Sequence, residues 1–491
     1  MKRLPASFLP PIALDSRRRI PLYRQLYEWF RGAILSGQLK PGQRVPSTRN
    51  LAAELNVSRI SVASAYEQLR AEGYIEAFVG AGTCVVRSIP ADSPAFGKIQ
   101  KTSRLASENS AARVVSHRAA LMQMPAQTWS SKLVAFRLNL PALEHFPTMV
   151  WSKLLHRHSR KASRQSMAYG DAMGYMPLRE AVAEYLGAAR AVRCEPWQVL
   201  ITTGSQQALQ LSAQVLLDAN DKVWIEEPGY PGARQALIMA GAQLIPVPVD
   251  QEGLSVAEGI RRAAKARAVY ITPSHQYPLG VTMTATRRML LLNWTARSGA
   301  WIIEDDYDSE YRFGGRPIPS LQGLDTSDRV IYTGTFSKVM FPALRLGYMV
   351  VPNDLVEAFR TAREGADQFS STLYQAALTD FIQEGHFARH IRRMRTLYMG
   401  RRTALIDAID SQMNDNLEVI GAEAGMHLVA LLPTAVSDVG VAQKAAEMGI
   451  STMPLSACHL TTPVRGGLIL GYGGTDAKQI QAGMRKLRMI V

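Results

Sequence analysis

Apolar positions recur at three-to-four-residue spacing through the first ninety residues and give way to short continuous apolar runs after about residue 133. The first rhythm predicts amphipathic helices, the second strands buried on both faces. Leu22, Leu26, Phe30, Ile34 and Leu35 predict a helix that opens with Pro21 at its first position and stops at Gly37. Lys40-Pro41-Gly42 predicts a turn. Ser47 is placed to cap a second short helix carrying Leu51, Ala52 and Leu55, and Asn56 to take a left-handed turn. Ser58 is placed to cap a third helix running to about Glu72. Two short helices joined by a tight turn suit a helix-turn-helix, whose second helix meets DNA with its N-terminal end. That end reads Ser58-Arg59-Ile60-Ser61. Residues 74–79 and 84–86 flank Gly80-Ala81-Gly82-Thr83, predicting a hairpin that can act as a wing. Periodicity alone fits any small three-helix domain equally well.

Residues 89–132 lack sustained periodicity and are rich in Ser, Ala and Pro, which predicts an interdomain linker with at most a short helix near 111–121. Beyond it, Val199-Leu200-Ile201-Thr202, Lys222-Val223-Trp224-Ile225, Leu244-Ile245-Pro246-Val247, Ala268-Val269-Tyr270-Ile271, Trp301-Ile302-Ile303 and Val330-Ile331-Tyr332 read as buried strands, with helices between several of them. Such alternation predicts an α/β layer with a mainly parallel sheet, whose ligands bind beyond the carboxyl ends of the strands. The expected division is therefore a helix-turn-helix module over 15–88, a linker over 89–132 and an α/β body over 133–491. A length of 491 residues accommodates two to four domains.

Chemistry-bearing residues fall at the predicted strand ends. Gly204-Ser205-Gln206 opens a helix whose free N–H groups can hold a phosphate, although Gly-Ser taken alone is more often a plain helix cap. Glu304-Asp305-Asp306-Tyr307-Asp308 fits metal ligands or a solvated turn as well as a paired carboxylate. Thr335-Phe336-Ser337-Lys338 is followed seven residues on by Arg345. A lysine forms a Schiff base only if burial or a neighbouring cation lowers its pKa, and a pyridinium cofactor needs a carboxylate opposite its ring nitrogen.

Whole strings narrow these alternatives. Gly37-Gln38-Leu39-Lys40-Pro41-Gly42-Gln43-Arg44-Val45-Pro46-Ser47-Thr48-Arg49, Val57-Ser58-Arg59 and Gly80-Ala81-Gly82-Thr83 resemble the winged-helix domain of GntR-type regulators. That resemblance implies DNA contacts from Arg44, Arg49, Ser58, Arg59, Ser61 and Gly80. The body from about residue 134 resembles aminotransferases of the fold type I class, which use pyridoxal phosphate. By that resemblance Lys338 carries the aldimine and Asp305 pairs with the pyridine nitrogen. Tyr307 reaches the phenolic oxygen and Tyr230 stacks on the ring. Ser205, Gln206, Thr335, Ser337 and Arg345 hold the phosphate, and Tyr169 is lent to the neighbouring subunit's phosphate. The two-part layout resembles the MocR subfamily of GntR regulators, which implies a homodimer, head-to-tail, with promoter DNA and an amino compound or pyridoxal phosphate as partners.

Two positions depart from the enzymes. Tyr277 stands where they usually carry an asparagine for the cofactor's phenolic oxygen, and Ile469 where many place an arginine for the substrate carboxylate. Arg465, and Arg345 itself, are the remaining candidates for an effector carboxylate. Losing a bidentate clamp weakens the positioning that turnover needs. The expected function is thus a regulator that senses pyridoxal phosphate or an amino compound through Lys338. The competing expectation is an active aminotransferase with a vestigial DNA-binding module.

Charge and cysteine content agree with the regulator. The chain carries 56 basic and 41 acidic residues, and residues 1–90 alone carry 13 against 6, an excess suited to a polyanionic partner. Cys84, Cys194 and Cys458 lack metal-binding spacing and suggest neither a disulfide framework nor a metal site. With no signal-like or membrane-length apolar run, the expected compartment is the cytoplasm, with no membrane partner.

Overall fold

The computed structural model describes residues 10–15, 20–78, 82–87, 116–121, 134–161, 164, 167–314, 318–413, 417–421 and 423–491. They fall in two compact units, Met1–Arg113 and Val114–Val491.

The first unit contains α1 (Leu22–Leu35), β1 (Arg44–Val45), α2 (Thr48–Leu55), α3 (Arg59–Ala71), β2 (Ile75–Phe78) and β3 (Gly82–Val85). Pro21 lies one residue earlier than expected: its ψ of 143° is extended, so it precedes the first helical residue instead of occupying it. The caps form as the sequence predicts. Ser47 Oγ accepts from Asn50 N at 3.2 Å, Ser58 Oγ accepts from Ser61 N at 3.1 Å, and Asn56 between the helices has φ of +51°. Each such serine contributes about 1 kcal/mol relative to alanine. The apolar stripe of α1 closes on α3, where Phe30 meets Tyr66 edge-on at 5.4 Å and Leu26, Val62 and Leu69 are fully buried. Tyr66 OH donates to Pro46 O at 3.1 Å and so ties α3 to the entry of α2. The sheet order β1-β3-β2, antiparallel throughout, sets the wing hairpin beside the helices.

The second unit is built on an eight-stranded sheet of β4 (Val199–Thr202), β5 (Lys222–Glu227), β6 (Gln243–Asp250), β7 (Gly253–Leu254), β8 (Ala268–Ile271), β9 (Trp301–Asp306), β10 (Val330–Thr335) and β11 (Gly347–Val350). Their order is β4-β11-β10-β9-β8-β5-β6-β7. The pairs β10/β9, β9/β8, β8/β5 and β5/β6 are parallel, while β11 runs antiparallel to both β10 and β4. The strand β11 escapes a search for strands alternating with helices, because only a short 3₁₀ turn, Pro342–Leu344, separates it from the lysine loop. Strand β9 also outruns its apolar stretch by three acidic residues, all buried. A polar strand end is tolerated in a core only where its side chains are paired, and partners for most of them are found in the neighbouring strands.

A smaller sheet of β12 (Glu418–Ile420), β13 (His427–Leu431), β14 (Met453–Pro454) and β15 (Gly467–Gly471) has the order β12-β13-β15-β14 and is antiparallel throughout. Phe136, Tyr398, Leu405, Leu428, Leu470 and Ile480 form its core with the helices His386–Gln412 and Ala477–Arg488. Of the expected linker only 116–121 is described. It holds a short helix, His117–Leu121, whose Arg118 Nη1 donates to Met239 O at 3.3 Å on the larger unit. Among the described residues no helix is long and apolar enough to cross a membrane.

Candidate functional site

Strand alternation sorts the acids of β9. Successive side chains face opposite sides of a sheet, so Glu304 and Asp306 share one face and Asp305 takes the other. Glu304 accepts from Leu321 N at 2.9 Å and Gln322 N at 3.0 Å. Asp306 Oδ2 accepts from Arg190 Nε at 2.7 Å and from Tyr332 OH at 2.6 Å. Both are structural. Asp305 is only half satisfied: Oδ2 accepts from Tyr270 OH at 2.9 Å, whereas Oδ1 is buried without a hydrogen-bond partner among the described residues. Burial raises its carboxyl to about 6, against the pull of the Tyr270 hydroxyl. An orphaned buried carboxylate oxygen is costly, and a cationic N–H from a ligand is the donor that would satisfy it.

Lys338 follows β10 by three residues and is half-buried. Burial lowers its amine to about 8, with Asp308 and Asp305 partly offsetting the shift. A far larger share of the population than for an ordinary lysine is therefore the neutral nucleophile near physiological pH. Gly204 (φ +125°) opens the helix Ser205–Leu216, whose first ladder bond joins Gln207 N to Gly204 O. The N–H groups of Ser205 and Gln206 precede that bond and point out of the helix end. A Cβ built on Gly204 would lie 3.6 Å from Arg345 Nη1, so the guanidinium closes over the helix end. Arg345 takes a left-handed φ of +53°, a conformation costing a non-glycine residue about 1 kcal/mol, which fits a positioned functional side chain. Thr335 Oγ1 accepts from Ser337 N at 3.2 Å at the same strand end. The Gln206 side chain is occupied elsewhere, donating to Gly232 O at 3.0 Å, so its contribution to an anion is its backbone.

Tyr230, Tyr277 and Tyr307 gather around this cup. Tyr230 meets Tyr277 edge-on at 5.4 Å, and Tyr277 meets Tyr307 at 6.0 Å. The Tyr277 hydroxyl is turned to Met453 Sδ at 3.6 Å, so it packs the pocket where the enzymes' asparagine would donate. Ile469 is fully buried in the same cluster. Arg465 is not brought to this end of the fold. It precedes β15 beyond Leu431, at the end of β13 opposite His427, and its guanidinium is committed to Leu432 O at 2.6 Å and Glu418 Oε2 at 2.5 Å. Tyr169 stands 84% exposed, with the Phe369 ring 6.1 Å away.

Two histidines that sequence reasoning passed over, His275 and His427, gather with Asp308 beside Tyr307. His275 Nδ1 lies 2.9 Å from Asp308 Oδ1 and 3.0 Å from Tyr307 OH, and the His427 ring packs 5.2 Å from that of His275. His427 Nε2 bonds Pro278 O at 3.2 Å, and burial drops its imidazole to about 4. A histidine heading an apolar strand, His427-Leu428-Val429-Ala430-Leu431, was the available signal, and a weak one.

On the first unit Arg44, Arg49, Ser58 and Arg59 are exposed, with Ser61 half-buried. The Ser58 and Ser61 hydroxyls bond each other at 2.9 Å. Gly80 lies outside the described residues.

Residues 136–483 match the model of the aminotransferase class I and II family, and residues 22–85 that of bacterial regulatory proteins of the gntR family. Over 480 residues the chain is 42% identical to the probable rhizopine catabolism regulatory protein MocR of Rhizobium meliloti, covering 97% of this chain and 95% of that one. The chain belongs to the MocR subfamily of GntR-type regulators. It is also 31% identical over 468 residues to the pyridoxine biosynthesis transcriptional regulator PdxR of Corynebacterium glutamicum, with 95% of each chain covered. Among solved structures, the α-aminoadipate aminotransferase LysN of Thermus thermophilus superposes with a TM-score of 0.71 at 31% identity, covering 77% of this chain and 96% of that one. Such an enzyme matches the body alone, whereas the regulators match both units. This MocR-type protein is accordingly a DNA-binding transcriptional regulator whose larger unit has the class I and II aminotransferase fold, a fold that implies pyridoxal phosphate.

Proposed function

We propose that this MocR-type regulator holds pyridoxal phosphate covalently at Lys338 and converts the arrival of an amino compound, or of the cofactor itself, into altered promoter binding. The observation that carries the proposal is the buried, unpartnered Asp305 Oδ1 in a pocket with a lysine whose amine is lowered to about 8. Asp305 supplies the carboxylate for a protonated ring nitrogen, and Tyr230 the stacking face. Tyr307 serves the phenolic oxygen. Arg345, the amides of Ser205 and Gln206, and the hydroxyls of Ser205, Thr335 and Ser337 serve the phosphate. Bound there, the cofactor supplies an electrophilic carbon able to exchange Lys338 for an incoming amine.

The exposed Tyr169 suits donation to a neighbouring subunit's phosphate, as a head-to-tail homodimer requires. Arg49 and Arg59 serve phosphates or guanine edges, with Arg44, Ser58 and Ser61 beside them. The protein acts in the cytoplasm, where promoter DNA lies. The burial of Ile469 and the commitment of Arg465 favour sensing over efficient turnover.

The decisive experiment measures binding of the full chain to its own promoter region, with and without pyridoxal phosphate and amines, beside amino-group transfer to a keto acid. Salt-sensitive promoter binding that responds to ligand is expected. Rapid transfer without promoter binding would overturn the proposal. Asp305→Ala is expected to weaken cofactor binding about 100-fold, the loss of one buried charge-assisted hydrogen bond at 1.5–3 kcal/mol, as read by equilibrium titration. Covalent attachment also has a predicted pH dependence. Only the neutral amine attacks, so with Lys338 at about 8 the attachment rate rises as pH passes upward through 8 and falls about tenfold per unit below it. Stopped-flow absorbance of the apoprotein checks this, and a rate flat between pH 6 and 9 would contradict it.

A further inference from the structure

His275 and Asp308 are both almost fully buried, and no part of the proposed function uses either. Their geometry is specific. Asp308 Oδ1 lies 2.9 Å from His275 Nδ1, and the Tyr307 hydroxyl lies 3.0 Å from the same nitrogen. A carboxylate only accepts hydrogen bonds, so the Asp308 contact requires the proton to be on Nδ1. With Nδ1 as donor, the Tyr307 oxygen opposite it can only accept. Burial and the neighbouring Asp308 keep the Tyr307 phenol well above its ordinary pKa, so it retains its single hydrogen. That hydrogen must then point away from His275.

We propose that His275 and Asp308 are positioning residues that orient the Tyr307 hydroxyl as a hydrogen-bond donor toward the phenolic oxygen of a cofactor held at Lys338. The inference rests on the cofactor reading above. The inward turn of the Tyr277 hydroxyl to Met453 makes it consequential, since Tyr307 is then the donor left at that oxygen. Gly425 supports the pair: at φ +80°, a Cβ there would stand 2.2 Å from His275 Cε1 and 2.5 Å from Asp308 Oδ2. His427, whose Nε2 bonds Pro278 O, closes the other side of the ring. These three side chains offer donor atoms within 4.8 Å of one another, but the 2.9 Å approach of Asp308 Oδ1 to Nδ1 is that of a shared proton rather than of two ligands of one cation.

A donor to the phenolic oxygen stabilises its anionic form and so lowers the pH at which the Lys338-bound cofactor changes colour. The titratable groups facing this region are Asp308, Asp305, Glu226, Lys338, Tyr277 and His427. Those groups stay unchanged in a His275 variant, so they do not account for a shift that vanishes without the Tyr307 hydroxyl.

The test is a pH titration of the visible absorbance of holoprotein carrying His275→Ala or His275→Asn, each alone and with Tyr307→Phe; Asp308→Ala is unsuited to it because that carboxylate also acts directly on Lys338. His275→Ala is expected to raise the colour midpoint by about one unit. His275→Asn keeps an N–H near the Nδ1 position and should recover more than half of that. In the Tyr307→Phe background His275→Ala should not shift the midpoint further. An unmoved midpoint in His275→Ala, or the same shift with and without the Tyr307 hydroxyl, overturns the inference. A wild-type protein with no visible band after incubation with pyridoxal phosphate overturns the cofactor reading instead, so the two failures are distinguishable.

Discussion

Lys338→Ala is expected to abolish the visible absorbance of bound pyridoxal phosphate and the effector response, while basal promoter binding remains largely intact. The colour depends on a carbon–nitrogen double bond to the protein, and alanine has no amine to form it. The fold should tolerate the change. Among the described residues no side chain is recorded bonding Nζ, and the local contact from Tyr311 OH, at 3.5 Å, is to the backbone oxygen of Lys338. Arg345, the Ser205–Gln206 amides and Asp305 are untouched, so weaker noncovalent binding should persist. A ligand regulates only by its differential affinity for two arrangements of the protein. With no covalent link to exchange, that difference disappears and the protein is held near its basal state. Electrophoretic mobility shifts with and without ligand, beside an absorbance scan, measure both halves. Loss of all DNA binding in a folded Lys338→Ala protein would contradict the separation of sensing from DNA affinity.

The double substitution Arg49→Ala with Arg59→Ala is expected to remove specific promoter binding. Both side chains are exposed on the helix-turn-helix, Arg49 in the first turn of α2 and Arg59 at the start of α3. Among the described residues neither has an ion-pair partner, so their charges are free for phosphates or base edges. Two lost phosphate contacts lower the slope of log affinity against log salt by about 1.8, because each neutralised phosphate releases counterions worth about 0.9. If one arginine reads a guanine edge, a further 1–3 kcal/mol of discrimination goes with it. The unit should stay folded, since the caps of α2 and α3 are Ser47 and Ser58 and the core residues Leu26, Phe30 and Leu69 are elsewhere. Fluorescence anisotropy over a salt series reads slope and affinity together. An unchanged slope would place the DNA-contacting surface on other residues.

The extent to which the site was legible follows from the physics of each residue. Lys338, Asp305 and Arg345 stood out as candidates because a covalent cofactor demands a lysine, an acid and an anion binder at successive strand ends, and those types stand out from apolar runs. His275 and His427 did not. A histidine within a loop or at the head of an apolar strand looks the same whether it fills a core or supports a site. Arg465 misled because nearness in sequence to β15 says nothing about which end of the small sheet its side chain serves.

By itself the sequence determined the helix-turn-helix, its caps at Ser47 and Ser58 and the α/β body, and it singled out Lys338 as the candidate attachment lysine, since these rest on local periodicity, capping chemistry and residue type. Only the tertiary structure decided that Asp305 takes the face opposite Glu304 and Asp306, bonded to Tyr270, while those two turn to their own partners in the core, because a strand's two faces are told apart only by what packs on them. It also decided that Tyr277 donates to Met453 and that Asp308 reaches Tyr307 through His275. Those contacts join residues from separate strands and loops, and their hydrogen-bond directions exist only once the strands are assembled.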